Sequence, residues 1–241
     1  MNKIQKPTLE ICLTPDAVSF IDLTGKITVI VDIFRATSTI VAGLASGVTH
    51  VIPVADIADA LHYKTQDYVT AGERNGEKVE GFDIGNSPFE HMAQEFKKIV
   101  MTTTNGTQAI EAVKNTAEQV IIGSFLNLRA VTNYLKSQNK DVVIVCAGWK
   151  GRFNAEDALF AGALALKLKG DFWWEGDETL FTSHSYTSVK KNLSKILKHS
   201  SHYKRLAKKG VSDDMDFCLQ IDKFKNVPVL EGDLLVNLEK V

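Results

Sequence analysis

Four stretches of the chain carry residues that could handle an anion or a metal ion. DIFRAT (32–37) sets a carboxylate, Asp32, three residues before a guanidinium, Arg35. An aspartate at a strand end can bind Mg2+ or attack phosphorus. An arginine offers a planar fork to phosphate, carboxylate or sulfonate oxygens. A structural Asp32–Arg35 ion pair explains the same residues equally well. TTTNGT (102–107) follows an apolar run and precedes a helical pattern. Its threonines and Asn105 can cap a helix, and capping is the commoner role. The same N–H groups can also hold a phosphate or sulfonate, with Gly106 allowing close approach. GERNGEKVEGFDIGNSP (72–88) contributes Glu73, Arg74, Glu77, Glu80 and Asp83 among glycines. Glu73 or Asp83 could complete an Mg2+ site of oxygen ligands; the alternative is a turn-rich surface loop with solvated charges. In GRFNAEDA (151–158), Asn154 suits a helix N-cap and Glu156 and Asp157 its first turn. That leaves Arg152 as a candidate anion ligand.

Other patterns exclude chemistry. Cys146 lies in an apolar run without a clear histidine partner and reads as a small core residue. The histidines lack metal-ligand spacing and are assigned to surface or packing roles. Neither GxGxxG nor GxxxxGK[ST] occurs. The DxDxT phosphatase pattern fails because Phe34 takes the second aspartate's place.

The elements that must position these residues alternate. Strands are predicted over 27–34, 50–55, 67–73, 98–104, 119–124 and 141–148. Helices are predicted over 37–46, 57–64, 88–94, 107–114, 126–137 and 154–168. Such alternation predicts an α/β fold, three-layer α/β/α with a largely parallel central sheet. Ligands bind such sheets beyond the carboxyl ends of the strands. Those ends carry Asp32 and Arg35; Glu73 and Arg74; Thr103, Thr104, Asn105 and Gly106; Ser124 and Asn127; Gly148 and Arg152. Together they predict a polar pocket. SVKKNLSKILKH (188–199) reads as one basic amphipathic helix with a solvated outer face. DDMDFCLQIDKFKNVPVLEG reads as a helix and a short closing segment. The expectation is a single domain over 1–241 with a helical C-terminal extension from about residue 170.

The formal net charge of -1 gives no footprint for nucleic acid or an acidic membrane surface. Three widely spaced cysteines form no zinc or disulfide pattern and suggest a reducing compartment. The N-terminus lacks the apolar core of a signal peptide, and no apolar run reaches the ~20 residues of a membrane helix. A cytoplasmic protein is expected. Trp149, Phe172, Trp173 and Trp174 are assigned to the core; the alternative is an interface of a homo-oligomer.

Several blocks in order resemble one family. VDIFRATSTIVAGLASG, AGERNGEKVEGFDIGNSPFE, TTTNGTQAI, IIGSFLN and IVCAGWKGRFNAEDALFAGAL are similar to the 2-phosphosulfolactate phosphatase (ComB) family over about residues 27–168. The tail DDMDFCLQID…VPVL resembles that family's C-terminus. The resemblance implies an α/β/α fold outside the common phosphatase folds. It implies Mg2+-dependent hydrolysis of (2R)-2-phospho-3-sulfolactate to 3-sulfolactate and phosphate, a step toward coenzyme M. The partner is then a small anionic phosphorylated substrate. Arg35 and Arg74 would grip its phosphate, with Arg152 and the N–H groups around Asn105 and Gly106 as further anion donors. Asp32, Glu73 and Asp83 would hold the ion, and either Asp32 or a water would attack phosphorus. Two alternatives remain: a phosphatase of other 2-hydroxyacid phosphates, and a non-catalytic binding module for anionic metabolites.

Overall fold

A computed structural model describes residues 6–93 and 97–238. Gln94, the predicted end of the 88–94 helix, and the first five residues of the N-terminal stretch lie outside the described residues. In chain order the first elements are β1 (Thr8–Cys12), β2 (Ile27–Val31), α1 (Ala36–Ala45), β3 (His50–Pro53), α2 (Ile57–Lys64), β4 (Val69–Arg74) and β5 (Glu77–Lys78). Next come α3 (Pro88–His91), β6 (Lys98–Thr102), α4 (Gly106–Glu111), β7 (Gln119–Gly123), α5 (Leu128–Gln138), β8 (Val142–Cys146) and α6 (Ala155–Leu168). The remainder is β9 (Trp173–Trp174), α7 (Gly176–Val189), α8 (Leu193–Leu197), α9 (Ser201–Ala207), α10 (Ser212–Cys218), β10 (Pro228–Glu231) and β11 (Leu234–Asn237).

β2 (ITVIV) and β8 (VVIVC) are buried at every position. Continuous β-branched runs of this kind need cover on both faces, as central parallel strands have. The two pair in parallel, and β7 and β1 extend this group on either side. A second parallel group consists of β3, β6 and β4. The strands belong to one mostly parallel sheet of order β5-β4-β6-β3-β11-β10-β7-β2-β8-β1-β9, with helices on its faces. The fold is therefore α/β, consistent with the three-layer α/β/α arrangement expected from the alternation.

β1, β5 and β9 lie outside the predicted strands, and two features of the C-terminal half also differ from expectation. The closing segment is an antiparallel hairpin, β10–β11, that bridges the two parallel groups through single residue pairs, Val229 with Ile121 and Leu235 with Val51. Four-residue strands are too short to show a period in sequence. The predicted 188–199 helix is two pieces: α7 ends at Val189, a 3₁₀ turn spans Lys190–Asn192, and α8 follows.

α1 (ATSTIVAGLA) has no charged residue and is buried at all positions but the last. A helix apolar all round belongs in an interior. Its hydroxyls are returned to the chain: Ser38 donates to the Ile33 carbonyl (3.0 Å) and Thr39 to the Asn86 carbonyl (3.1 Å). α7 packs along α6, α9 then passes over the carboxyl ends of the strands, and α10 packs against α9 and α3. Phe172 is in the core, but Trp173 is 61% exposed. Side chains alternate along an edge strand, and at β9 the alternation turns Trp173 outward. Among the described residues no helix is long and apolar enough to cross a membrane.

Candidate active site

The ends of β2, β4 and β6 and the helix α9 enclose a cavity of about 320 Å3, at the small end of the range for small-molecule sites. Asp32 lines it and is 6% exposed. Its backbone is fixed by Thr37: the Asp32 N–H donates to Thr37 Oγ1 at 3.0 Å, and the Thr37 hydroxyl donates back to the Asp32 carbonyl at 2.9 Å. Gly106 is why the β2 and β6 ends can meet. A Cβ there would lie 2.6 Å from the Ala36 Cβ and 3.0 Å from Asp32 Oδ2. Burial pushes the Asp32 carboxyl up to about 7; His202 opposes the rise, and Glu73 and Glu156 add to it.

Glu73 also lines the cavity, and both its oxygens accept backbone N–H groups. Oε1 takes Thr104 at 2.7 Å and Oε2 takes Gly76 at 2.6 Å. The carboxylate thus pins the β4–β5 turn to the β6–α4 loop. That turn is Asn75-Gly76, with positive φ at both residues, the requirement of a type I′ hairpin and a signal the sequence did contain. Arg35 stands in the cavity wall, paired through Nη1 with Asp214 of α10. Asp214 also accepts the Ser87 hydroxyl at 2.8 Å. Arg35 therefore has a structural carboxylate partner, but it is Asp214 rather than Asp32.

The other wall comes from α9 and the residues after it. His202 Nδ1 donates to Glu156 Oε1 at 2.6 Å, with the Asn154 amide 3.1 Å away. The Arg205 guanidinium stacks 3.9 Å above the Trp149 ring, so Trp149 serves the cavity rather than the core. Arg205 Nη2 is buried without a hydrogen-bond partner. Lys208 lines the cavity with no ionic partner among the described residues, whereas Lys209 pairs with Glu77. None of these was expected at the site: His202 was assigned to surface or packing, Trp149 to the core, and Asn154 and Glu156 to the start of a helix. The signal was faint: His202, Arg205, Leu206 and Lys209 recur at the spacing of one helix face.

Glu156 and Asp157 stand where the sequence reading put them but do more than serve a helix end. They occupy the first turn of α6, yet they are 0% and 1% exposed. Asp157 accepts the Ile33 N–H at 2.8 Å and the Gly148 N–H at 3.2 Å, tying the ends of β2 and β8 together. Burial pushes its carboxyl well above the usual range, with Glu156 and Asp32 adding to the rise. Asn154 stands at the N-cap position but makes no capping bond; its side chain goes to His202.

Several expected site residues lie elsewhere. Arg74 points to the Ala55 carbonyl (3.0 Å) and Thr102 Oγ1 (2.8 Å) and does not line the cavity. Asp83 is on the surface, where it accepts from the Thr70 N–H (2.9 Å), the Thr70 hydroxyl (2.7 Å) and Lys64 (2.8 Å). The chain doubles back beside β4 at this point and carries Asp83 away from the strand ends. Ser124 and Asn127 form a capping box on the 3₁₀ turn Phe125–Asn127 and are fully buried. The returning chain closes over them, with Asp222 and Phe224 N–H groups donating to Phe125 and Leu126 carbonyls. Thr103 rather than Asn105 caps α4, accepting the Thr107 N–H at 3.2 Å, while Thr104 and Asn105 face the cavity. Gly148 sits behind Asp157. Arg152 is exposed in a separate hollow of about 590 Å3 that has only His202 in common with the cavity. Cys12, Cys146 and Cys218 are free and buried.

Buried carboxylates under unpaired cationic donors, at the carboxyl ends of parallel strands, define an α/β protein shaped to hold a small anion. The chain belongs to the 2-phosphosulpholactate phosphatase family, whose profile matches residues 12–233. Its relatives include a protein of Thermotoga maritima named probable 2-phosphosulfolactate phosphatase, 45% identical over 210 residues that span 86% of this chain and 90% of the relative. Proteins with the same name from Caldanaerobacter subterraneus subsp. tengcongensis and Clostridium acetobutylicum are 42% and 34% identical. They cover 89% and 94% of this chain and 91% and 99% of their own lengths.

Proposed function

We propose that the chain hydrolyses (2R)-2-phospho-3-sulfolactate to 3-sulfolactate and phosphate, the reaction its relatives' names describe, as a cytoplasmic, Mg2+-dependent step toward coenzyme M. The observation that carries the reading is that Asp32 and Arg205, whose buried Nη2 has no internal hydrogen-bond partner, line one cavity. A substrate bearing phosphate, sulfonate and carboxylate needs several separate donors, and a guanidinium with a free edge suits such oxygens. Lys208 and the loop at Thr104 and Asn105 add to the set.

The donor chemistry fits Mg2+. Asp32 and Glu73 supply carboxylates, and Asn86, which also lines the cavity, has an Oδ1 buried without a partner. Among the described residues no three His, Cys, Asp or Glu side chains cluster as a metal site. Mg2+ commonly takes one or two protein carboxylates and otherwise water and substrate phosphate. When bound, the ion would neutralise charge on the transferring phosphoryl group. The chain's own residues do the positioning. Asp157 holds the Asp32 loop, Glu73 holds the Thr104 loop, and Arg205 orients the substrate's anionic groups. Asp32 stands where it can attack phosphorus or direct the attacking water.

The test is phosphate release from 2-phospho-3-sulfolactate with Mg2+ and with EDTA. Metal-dependent release that falls when the sulfonate is absent, as in phospholactate, is the expected result. Equal rates on both esters would move the reading to a general 2-hydroxyacid phosphatase. Tight binding without turnover would make the protein a binding module.

A further inference from the structure

His202 reaches the cavity from α9, and the scheme above leaves it unused. Its ring is held from two sides: Nδ1 donates to Glu156 Oε1 at 2.6 Å, and the Phe34 ring meets it edge-on at 6.1 Å between centroids. Glu156 is wholly buried, and its Oε2 has no hydrogen-bond partner. A carboxylate buried that deeply calls for a cation beside it, and His202 is the group in contact. The carboxylate fixes the tautomer, with a proton on Nδ1, and balances the charge when Nε2 is protonated as well. Nε2 makes no hydrogen bond among the described residues, and the ring lines the same cavity as Asp32. An imidazole with one nitrogen anchored on a carboxylate and the other without an internal partner, in a ring that lines a substrate cavity, is arranged for proton transfer.

Resting on the phosphatase reading, we infer that His202, oriented by Glu156, protonates the departing oxygen of the ester. As the bond between phosphorus and the bridging oxygen breaks, the electron pair stays on that oxygen, which takes the proton from Nε2 and leaves as an alcohol. The neutral imidazole then regains a proton from the water whose oxygen ends in phosphate. The sum is ester plus water to alcohol plus phosphate. His202 is the catalytic group in this step, and Glu156 is a positioning residue behind it.

A leaving group that needs no proton separates this role from a structural one. The full chain with Mg2+ is assayed on 2-phospho-3-sulfolactate and on 4-nitrophenyl phosphate, as wild type, His202→Gln and Glu156→Gln. His202→Gln is expected to lower kcat on the alkyl ester by about 100-fold or more, the lower bound for general acid catalysis. Its kcat on the nitrophenyl ester should fall only a few-fold. Glu156→Gln should show the same selectivity with a smaller loss. Equal losses on both esters, or no loss on either, would overturn the inference. Should both variants misfold by circular dichroism, the wild type alone decides on a series of alkyl and aryl phosphates. A shallow dependence of kcat on leaving-group basicity supports a proton donor, and a steep one removes it. A wild type inactive on the sulfolactate ester but active on other alkyl phosphates would break the substrate reading and leave this inference standing. Activity on aryl esters alone, or on no monoester, would overturn it.

Discussion

The two walls of the cavity are built on opposite principles. On the sheet wall polar groups are mostly spoken for: Glu73 accepts two backbone N–H groups, Thr104 Oγ1 accepts the Asn75 N–H, and the Asp32 backbone is locked by Thr37. On the helical wall Arg205 Nη2 is buried and unpaired, Lys208 has no ionic partner among the described residues, and His202 Nε2 makes no hydrogen bond there. A buried donor without a partner costs about 1–3 kcal/mol, more if charged. The sheet wall holds its shape through satisfied bonds, and the helical wall carries cationic groups without internal partners. Asp32, a buried carboxyl raised to about 7, and Asn86, whose Oδ1 is buried without a partner, are the exceptions outside the helical wall.

Asp32→Asn is the strongest way to test that contrast. Phosphate release should fall by about a thousandfold or more if Asp32 acts as proposed, because the carboxylate assigned to the reacting centre is lost. Stability should move the other way. The folded carboxyl titrates at about 7, against 3.8 ordinarily, so the folded state keeps a proton that the unfolded state has lost. Stability therefore declines as pH rises from about 4 to about 7 and levels off above. Metal-free Asp32→Asn should exceed wild type by at most about 4 kcal/mol at pH 8 and match it near pH 3. Urea unfolding in EDTA measures this, and equal stability at pH 8 would place Asp32 in a solvated setting.

The next effect concerns what joins the walls. Arg35 of the sheet wall and Asp214 of α10 are 5% and 6% exposed and bonded to each other. Asp214→Ala strands a buried guanidinium and should cost about 3–5 kcal/mol in urea unfolding, whereas Arg35→Met with Asp214→Leu should recover much of it. If the single change is silent, this pair contributes nothing to joining the walls. Smaller again is Arg205→Ala, which removes an open donor but no internal bond. KM for the trianionic substrate should rise about 10–100-fold, equivalent to roughly 1.4–2.8 kcal/mol, with melting temperature nearly unchanged. A large loss of stability instead would make the stack on Trp149 its main role.

The sheet wall was legible in sequence and the helical wall was not, for one physical reason. Asp32, Glu73, Thr104 and Asn105 follow from a local rule, since each stands at or just past the carboxyl end of a β-branched or apolar run that declares itself within five or six residues. His202 and Arg205 acquire their place from how α9 lies across those ends, a matter of packing between segments more than 90 residues apart. Glu156 and Asp157 take the first-turn places expected of them, but their burial was not legible, because first-turn carboxylates usually serve the helix dipole at the surface; only their setting in an otherwise apolar helix hinted at it. The parallel strands were legible from runs such as VVIVC, but the β10–β11 hairpin, four residues a side and opened by Pro228, offered too little pattern.

Asp83 gives the smallest effect and the sharpest discrimination. It and Glu73 come from one glycine-rich stretch and looked interchangeable as metal ligands, yet one lines the cavity and the other anchors a surface turn. Burial pushes the Asp83 carboxyl up, but the Lys64 ammonium and the Thr70 N–H and hydroxyl outweigh it and hold it below its usual value. This carboxylate therefore favours the folded state above the unfolded carboxyl's ordinary 3.8, and the contribution fades as pH falls through the lower, folded value. Because Asp83 is exposed, Asp83→Asn should cost no more than about 1 kcal/mol at pH 7 and nothing at the acid end. Its kcat/KM and the Mg2+ concentration for half-maximal phosphate release should stay within about twofold of wild type, a change of under about 0.5 kcal/mol. Glu73→Gln should shift that Mg2+ requirement upward. If Asp83→Asn shifts it instead, the loop from residue 77 to 85 must close on the cavity when the ion binds, and the division between a site carboxylate and a turn carboxylate would hold only for the metal-free protein.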